Sequence, residues 1–110
     1  MTLLASRLPS RSATLFLAGR QRSFTVTPGA SLGNLCLSGA IGRFVRPGEL
    51  QLADSFGRAS LSIDLSSLPT PMGEAAVQPG ETWTFQAWHR DAVMGAVVSN
   101  FTTAIEITFL

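Results

Sequence analysis

The sequence predicts an all-β fold, an antiparallel β-sandwich of about six to eight strands, and three observations carry that prediction. The composition suits sheets: 45% of residues are apolar and 14% charged, Lys and Tyr are absent, and ten glycines and six prolines punctuate the chain. Among helix formers Glu, Gln and Lys are scarce, while Ser and Thr are abundant. Residues 59–65 alternate with period two: Ala59, Leu61, Ile63 and Leu65 on one face, Ser60, Ser62, Asp64 and Ser66 on the other. Turn signals recur at roughly 8–12-residue intervals, and no segment sustains a capped 3.6-residue period. A chain of 110 residues accommodates one domain and one core.

The elements follow in order. Residues 1–11 are expected to lie outside the domain, as a disordered or non-native start, with 12–110 forming the sandwich. The opening has arginines, serines and no acid, which superficially suits a transit peptide. Pro9 and the neighbouring charges make it a poor secretory signal. The stretch is better read as strands at Ala13–Gly19 and Ser23–Thr27, with Gly19-Arg20-Gln21-Arg22 turning between them. From Pro28 to Gly57, closely spaced glycines separate the short apolar pieces Asn34–Leu37 and Leu50–Ala53. The strand at Ala59–Leu65 is expected to end before Leu68–Gly73, where Pro69 and Pro71 oppose a continued ladder and Gly73 allows a turn.

A further strand follows Pro79-Gly80. Trp83, Phe85, Ala87 and His89 share one face, and Thr84, Gln86, Trp88 and Arg90 the other. A tryptophan on each face implies that both are at least partly covered. Residues 91–100, with Gly95, read as an exposed loop. The last strand spans Ala104–Leu110, with Ile105, Ile107 and Phe109 opposite Glu106 and Thr108. The predicted core is therefore Trp83, Phe85, Leu61, Ile63, Leu65, Ile105, Ile107 and Phe109.

Charge and cysteine content narrow the function classes. The net charge is +1, yet residues 1–48 hold six of the eight arginines and no acid, whereas residues 49–110 hold all seven acids. The arginines are dispersed and no aromatic set alternates with them, which argues against a nucleic-acid partner. No apolar run approaches the ~20 residues that span a bilayer as a helix. Cys36, the single cysteine, lies between Leu35 and Leu37 and reads as a small buried hydrophobe.

Residues that could carry chemistry reduce to few. His89, Arg90 and Asp91 form the most chemical cluster, and His89 and Asp91 share a strand face. A hydrolytic triad also requires a nucleophile in reach of the base, and the one Gly-x-Ser-x-Gly spacing, Gly29-Ala30-Ser31-Leu32-Gly33, stands in a glycine-rich stretch without the strand-to-helix pattern of a nucleophile elbow. No enzyme activity and no cofactor are expected. One His and one Cys, 53 residues apart, do not make a zinc set, and the acids lack calcium-loop spacing, so no metal site is expected. Gly39-Ala40-Ile41-Gly42 lacks the Lys-Ser/Thr tail of a phosphate cradle. Asn100-Phe101-Thr102 matches a glycosylation sequon but reads structurally, Asn100 turning the chain and Phe101 plugging the core. The ligand-binding candidates are Trp88, Gln86 and Arg90, because an indole beside polar groups can stack on a sugar ring.

The runs GNLCLSGAIGRF (33–44), PGEL (47–50), LSIDLSSLPTPMG (61–73), PGETWTFQAWHRDAV (79–93) and SNFTTAIEITF (99–109) occur in that order. Together they resemble the C-terminal, β-sandwich-like region of uncharacterised secreted proteins from Planctomycetes and related environmental bacteria. The resemblance covers roughly residues 12–110 and implies an exported protein, without implying an activity. Members of the group carry an aromatic residue where His89 stands and continue upstream of Met1, so a fragment or displaced start is expected. The reading is a secreted structural or interaction module with other domains of a longer protein, or a glycan, as partner. An unpaired strand edge would also serve as a template for self-association.

Overall fold

The computed structural model describes residues 1–25, 34–93 and 96–109. The described residues contain no helix, so none is long and apolar enough to cross a membrane. They form twelve β-strands, all paired antiparallel. In order these are β1 (Thr2–Ala5), β2 (Ala13–Gly19), β3 (Gln21–Thr25), β4 (Leu35–Ser38), β5 (Gly42–Arg43) and β6 (Gln51–Leu52). The remainder are β7 (Ala59–Ser62), β8 (Leu68–Thr70), β9 (Gly73–Ala75), β10 (Thr82–Val93), β11 (Ala96–Phe101) and β12 (Ile105–Thr108). The all-β class is as expected, but the strands are more numerous and shorter than six to eight.

The centre is a six-stranded sheet organised by β10, which is 12 residues long. One edge of β10 pairs with β2 from Thr84↔Gly19 to His89↔Thr14. Its other edge is divided end to end, with β12 along Thr82–Phe85 and β11 along Trp88–Val93. β2 in turn carries β5 and β6 on its far edge. Three two-stranded sheets complete the fold: β1–β7, β3–β4 and β8–β9.

Both faces of β10 are covered, as its two tryptophans imply. On one face Trp83, Phe85 and Ala87, with Phe16 and Ala18 of β2, join Leu3, Ala5, Ala59, Leu61 and Ile63 from the β1–β7 side in a single buried cluster. On the other face β4 lies against Gln86, and its Leu37 side chain packs at Gly19. Period two gives one long strand two apolar contacts of opposite hand.

Two glycines are fixed by close approach. A Cβ on Gly42 would collide with the Pro69 carbonyl oxygen, so β5 can only pass β8 without a side chain. A Cβ on Gly57 would strike the Leu8 carbonyl, and the same segments are tied by a Leu8 N–H bond to the Gly57 oxygen at 2.9 Å. Gly57 also has a φ of +76°.

Several expectations are corrected. Residues 1–11, expected outside the domain, contribute β1, which pairs with β7 from Thr2↔Ser62 to Ala5↔Ala59 and buries Leu3, Ala5 and Leu8. Alternation at Leu3 and Ala5 was too short to stand out as a strand. β2 matches the expected range, but β3 starts at Gln21 and pairs with β4, so Arg20 marks a change of sheet and not a hairpin. The strand at 59–65 stops at Ser62, because the Asp64 carboxylate accepts from the Ser66 N–H and hydroxyl and closes a turn. Pro69 sits within β8, opposite Glu74, in a hairpin register that turns its nitrogen away from β9. Residues 91–100 are no loop: β10 continues to Val93 and pairs back through β11, Val93 opposite Ala96. The expected strand end at 26–27 and the turn glycines Gly29, Gly33 and Gly95 lie outside the described residues.

Candidate functional site

The chemistry-bearing residues of β10 separate by face. Gln86, grouped from sequence with Trp88 and Arg90, is 3% exposed and is a structural clamp. Its Oε1 accepts the Cys36 N–H at 3.0 Å, and its Nε2 donates to the carbonyls of Asn34 and Thr102, both at 2.8 Å. One side chain thereby joins β4 to the junction between β11 and β12. Thr102 completes that junction: its hydroxyl accepts the Ala87 N–H at 2.9 Å and its own N–H bonds the Ala87 carbonyl at 2.8 Å. It stands in for a strand partner where neither β11 nor β12 reaches β10.

Trp88 is half-buried and Arg90 exposed, with the Arg90 guanidinium 4.9 Å from the indole centroid. The expected ligand trio is therefore not assembled: Gln86 turns under β4, and one face of Trp88 is covered by its neighbour's cation. His89 is buried at 6% exposure, and its Nδ1 shares a 3.2 Å hydrogen bond with the Arg90 carbonyl. It bonds no serine, threonine or cysteine among the described residues. The Asp91 side chain lies outside the described residues. No group of three or more His, Cys, Asp or Glu gathers at one point among them. Cys36 is half-buried, a free thiol on β4.

The larger feature, which the sequence did not announce, is a groove of about 960 Å³. Its floor is the face of β10 that carries Phe85, Ala87 and His89, and β12 adds Ile105 and Ile107. The opposite wall is continuous from Met1 to Pro9. Consecutive residues of β1, from both its faces, reach the groove, so β1 presents its edge and not a face. Strand register gives the polarity of that edge. Ile63 N–H bonds the Met1 carbonyl at 2.8 Å, so Met1, Leu3 and Ala5 are the hydrogen-bonded positions opposite β7. The N–H and C=O of Thr2 and Leu4 then point outward along the groove, and no described strand pairs there.

The core prediction is corrected at the same place. Trp83, Phe85, Leu61 and Ile63 are buried, and Leu65, Ile107 and Phe109 are partly buried against them, but Ile105 is 54% exposed. Ile105 lies outside the buried cluster that β1 and β7 form with β10 and β2. Phe101, expected to plug the core, is half-buried at the groove rim, and the Asn100 Oδ1 accepts the Phe101 N–H at 2.8 Å.

The remaining polar clusters are closed. Arg46 grips Glu49 through Nε and Nη2, at 2.9 and 2.8 Å, and reaches Glu74 through Nη1 at 2.8 Å and the Ser67 hydroxyl at 3.2 Å. The Arg46 guanidinium holds the Glu49 carboxyl below its ordinary range. A smaller cavity of about 220 Å³ beside Trp83 is spanned by the Arg20–Glu81 pair at 2.6 Å. The Gln78 N–H, first among several donors, keeps Glu81 below the usual carboxylate range.

Compared with protein-family models, curated proteins and solved structures, the chain matches none.

Proposed function

We propose that this chain is a non-catalytic interaction module of an exported protein, and that it binds through the groove between β1 and the β10–β12 face. The observation that carries the reading is the β1 edge, unpaired among the described residues, standing in the same groove as Ile105, which is 54% exposed. An exposed strand edge and an exposed isoleucine are each features that a partner can cover, and they coincide in one groove. The likeness to secreted proteins supports export, and the His89 hydrogen bond to a backbone carbonyl supports a structural histidine. The test is selection of binders from a displayed random-peptide library, repeated on Ile105→Arg. Enrichment on the wild type that is lost on the variant supports the module. No enrichment from the library, or enrichment indifferent to the substitution, overturns it.

A second reading, a carbohydrate-binding module, is favoured by one observation, the half-exposed Trp88 ring. Soluble oligosaccharides should then quench indole fluorescence in the wild type and not in Trp88→Ala. The Arg90 cation over that ring makes this the weaker of the two readings.

A further inference from the structure

The geometry points to a specific occupant for the groove: an extended peptide strand, apolar on alternate residues and acidic at one end, that adds to β1 and completes the second layer over β12. This inference rests on the interaction-module reading and names its partner.

Four observations define the occupant. The outward N–H and C=O groups of Thr2 and Leu4 repeat every second residue, which is the hydrogen-bonding pattern offered to an added strand and to no compact ligand. The floor sets the side-chain pattern. Ile105, 54% exposed, and the half-buried Ile107, alternate residues of β12, supply the accessible apolar surface beside the buried Phe85 and Ala87, so the occupant's side chains on that side meet apolar surface over β12. Size agrees as well. A strand residue fills roughly 160 Å³, taking about 3.3 Å along the strand, 4.8 Å to its neighbour and 10 Å between layers. A groove of about 960 Å³ therefore holds about six residues.

Charge selects the end group. No aspartate or glutamate lines the groove, and Arg7 stands exposed where β1 runs out. Arg7 has no ion-pair partner among the described residues, in contrast to Arg20, Arg46 and Arg58, which are paired at 2.6, 2.8 and 3.6 Å. A carboxylate on the occupant would supply the missing partner at the Arg7 end, as a bidentate pair.

The probe is a fluorescein-labelled heptapeptide that alternates valine and threonine, with aspartate at its amino end. An antiparallel strand places that end beside Arg7. Two forms methylated on alternate backbone nitrogens separate the edges: one set of amides faces β1, the other faces solvent. Anisotropy titration should show saturable binding of the parent peptide. One methylated form should weaken it by at least about tenfold and the other should leave it within about twofold.

Leu4→Pro is the matching protein variant. The Leu4 N–H points away from β7, so proline removes the outward donor without cutting the β1–β7 ladder. It should abolish binding while its thermal transition stays close to wild type. Arg7→Glu, which leaves β1 untouched, should reverse the preference from an aspartate-ended to a lysine-ended peptide. Equal binding of both methylated forms, or wild-type binding by Leu4→Pro, overturns strand addition. A concentration-dependent dimer that Leu4→Pro dissolves would assign the groove to a second copy and also overturn the peptide assignment. Failure here with library binders still enriched leaves the module and removes only the strand. Absence of any binder removes the module itself.

Discussion

Replacing Gln86 should cost this domain about 3 kcal/mol, and the figure comes directly from its hydrogen bonds. The side chain is buried and makes three: from the Cys36 N–H, and to the Asn34 and Thr102 carbonyls. Gln86→Leu keeps similar bulk but leaves these backbone groups without that partner, at a net ~1 kcal/mol each. For a domain of about this length each kcal/mol moves the midpoint by ~4 °C, so the transition should fall by about 12 °C. Urea unfolding followed by tryptophan fluorescence gives the free energy independently. Gln86→Glu sharpens the test, because it puts a carboxylate oxygen against two carbonyl oxygens that Nε2 now serves. Ionisation is then disfavoured in the folded state, and the glutamate's folded pKa lies above its unfolded value. The added penalty is full above the folded pKa and fades as pH falls toward the unfolded value, so this variant should gain stability on acidification. A loss below about 0.5 kcal/mol for Gln86→Leu, with no change in denaturant slope, would show that water replaces the clamp and would refute the reasoning.

Three further outcomes follow from the packing and the ion pairs. Gly42→Ala should destabilise by about 3 kcal/mol, since its methyl meets the Pro69 carbonyl and not a yielding side chain; Gly48→Ala, with open space but a φ of +82°, should cost about 1 kcal/mol in the same chemical melt. Glu49→Gln should lose about 1–2 kcal/mol at neutral pH by weakening the Arg46 pair. The Glu49 carboxyl lies below its ordinary range when folded, so its contribution is present above the unfolded value near 4.5 and disappears as pH falls through the folded value. Wild-type and Glu49→Gln melting temperatures should therefore converge in acid, and a constant gap down to pH 2 would contradict the assignment. Ser12→Ala should be neutral or stabilising by up to about 1 kcal/mol, because the Ser12 hydroxyl oxygen is buried with no hydrogen-bond partner among the described residues.

The elements legible in the sequence are those whose signal is local. Alternation at 59–63 and along Trp83–His89 gave correct faces, because period two maps directly onto burial in a half-covered strand. β11 escaped because its strand formers, Ala96-Val97-Val98, follow a short connection at 94–95 that read as part of a loop. A two-residue connection ending in glycine between strand-forming residues was the available hairpin signal. β1 escaped for another reason: four residues contain only two inward positions, too few to establish a period. Gln86 was placed on the right face and given the wrong role. Alternation showed that it opposes Phe85, but the partner that buries it, β4, lies 50 residues away in sequence and is set by tertiary packing.

Ile105 shows most clearly what periodicity leaves open. Its place in Ile105-x-Ile107-x-Phe109 predicts burial, and its register opposite Phe85 puts it on the core-facing side. The exposure is therefore not a fault in the face assignment. Period two determines which residues share a face, while burial also requires an opposing layer wide enough to reach them. Here the buried cluster draws Leu3, Ala5, Ala59 and Leu61 from the two-stranded β1–β7 sheet and does not extend to Ile105. The residue left uncovered lines the same groove as Thr2 and Leu4, whose outward backbone groups have no strand partner among the described residues. A single added strand would satisfy both deficits, whereas a compact ligand could cover Ile105 but would leave the alternating amides unmatched. The mismatch between an apolar pattern and its exposure thus locates the same groove that the strand register identifies independently, and it favours an extended peptide over a sugar at that surface.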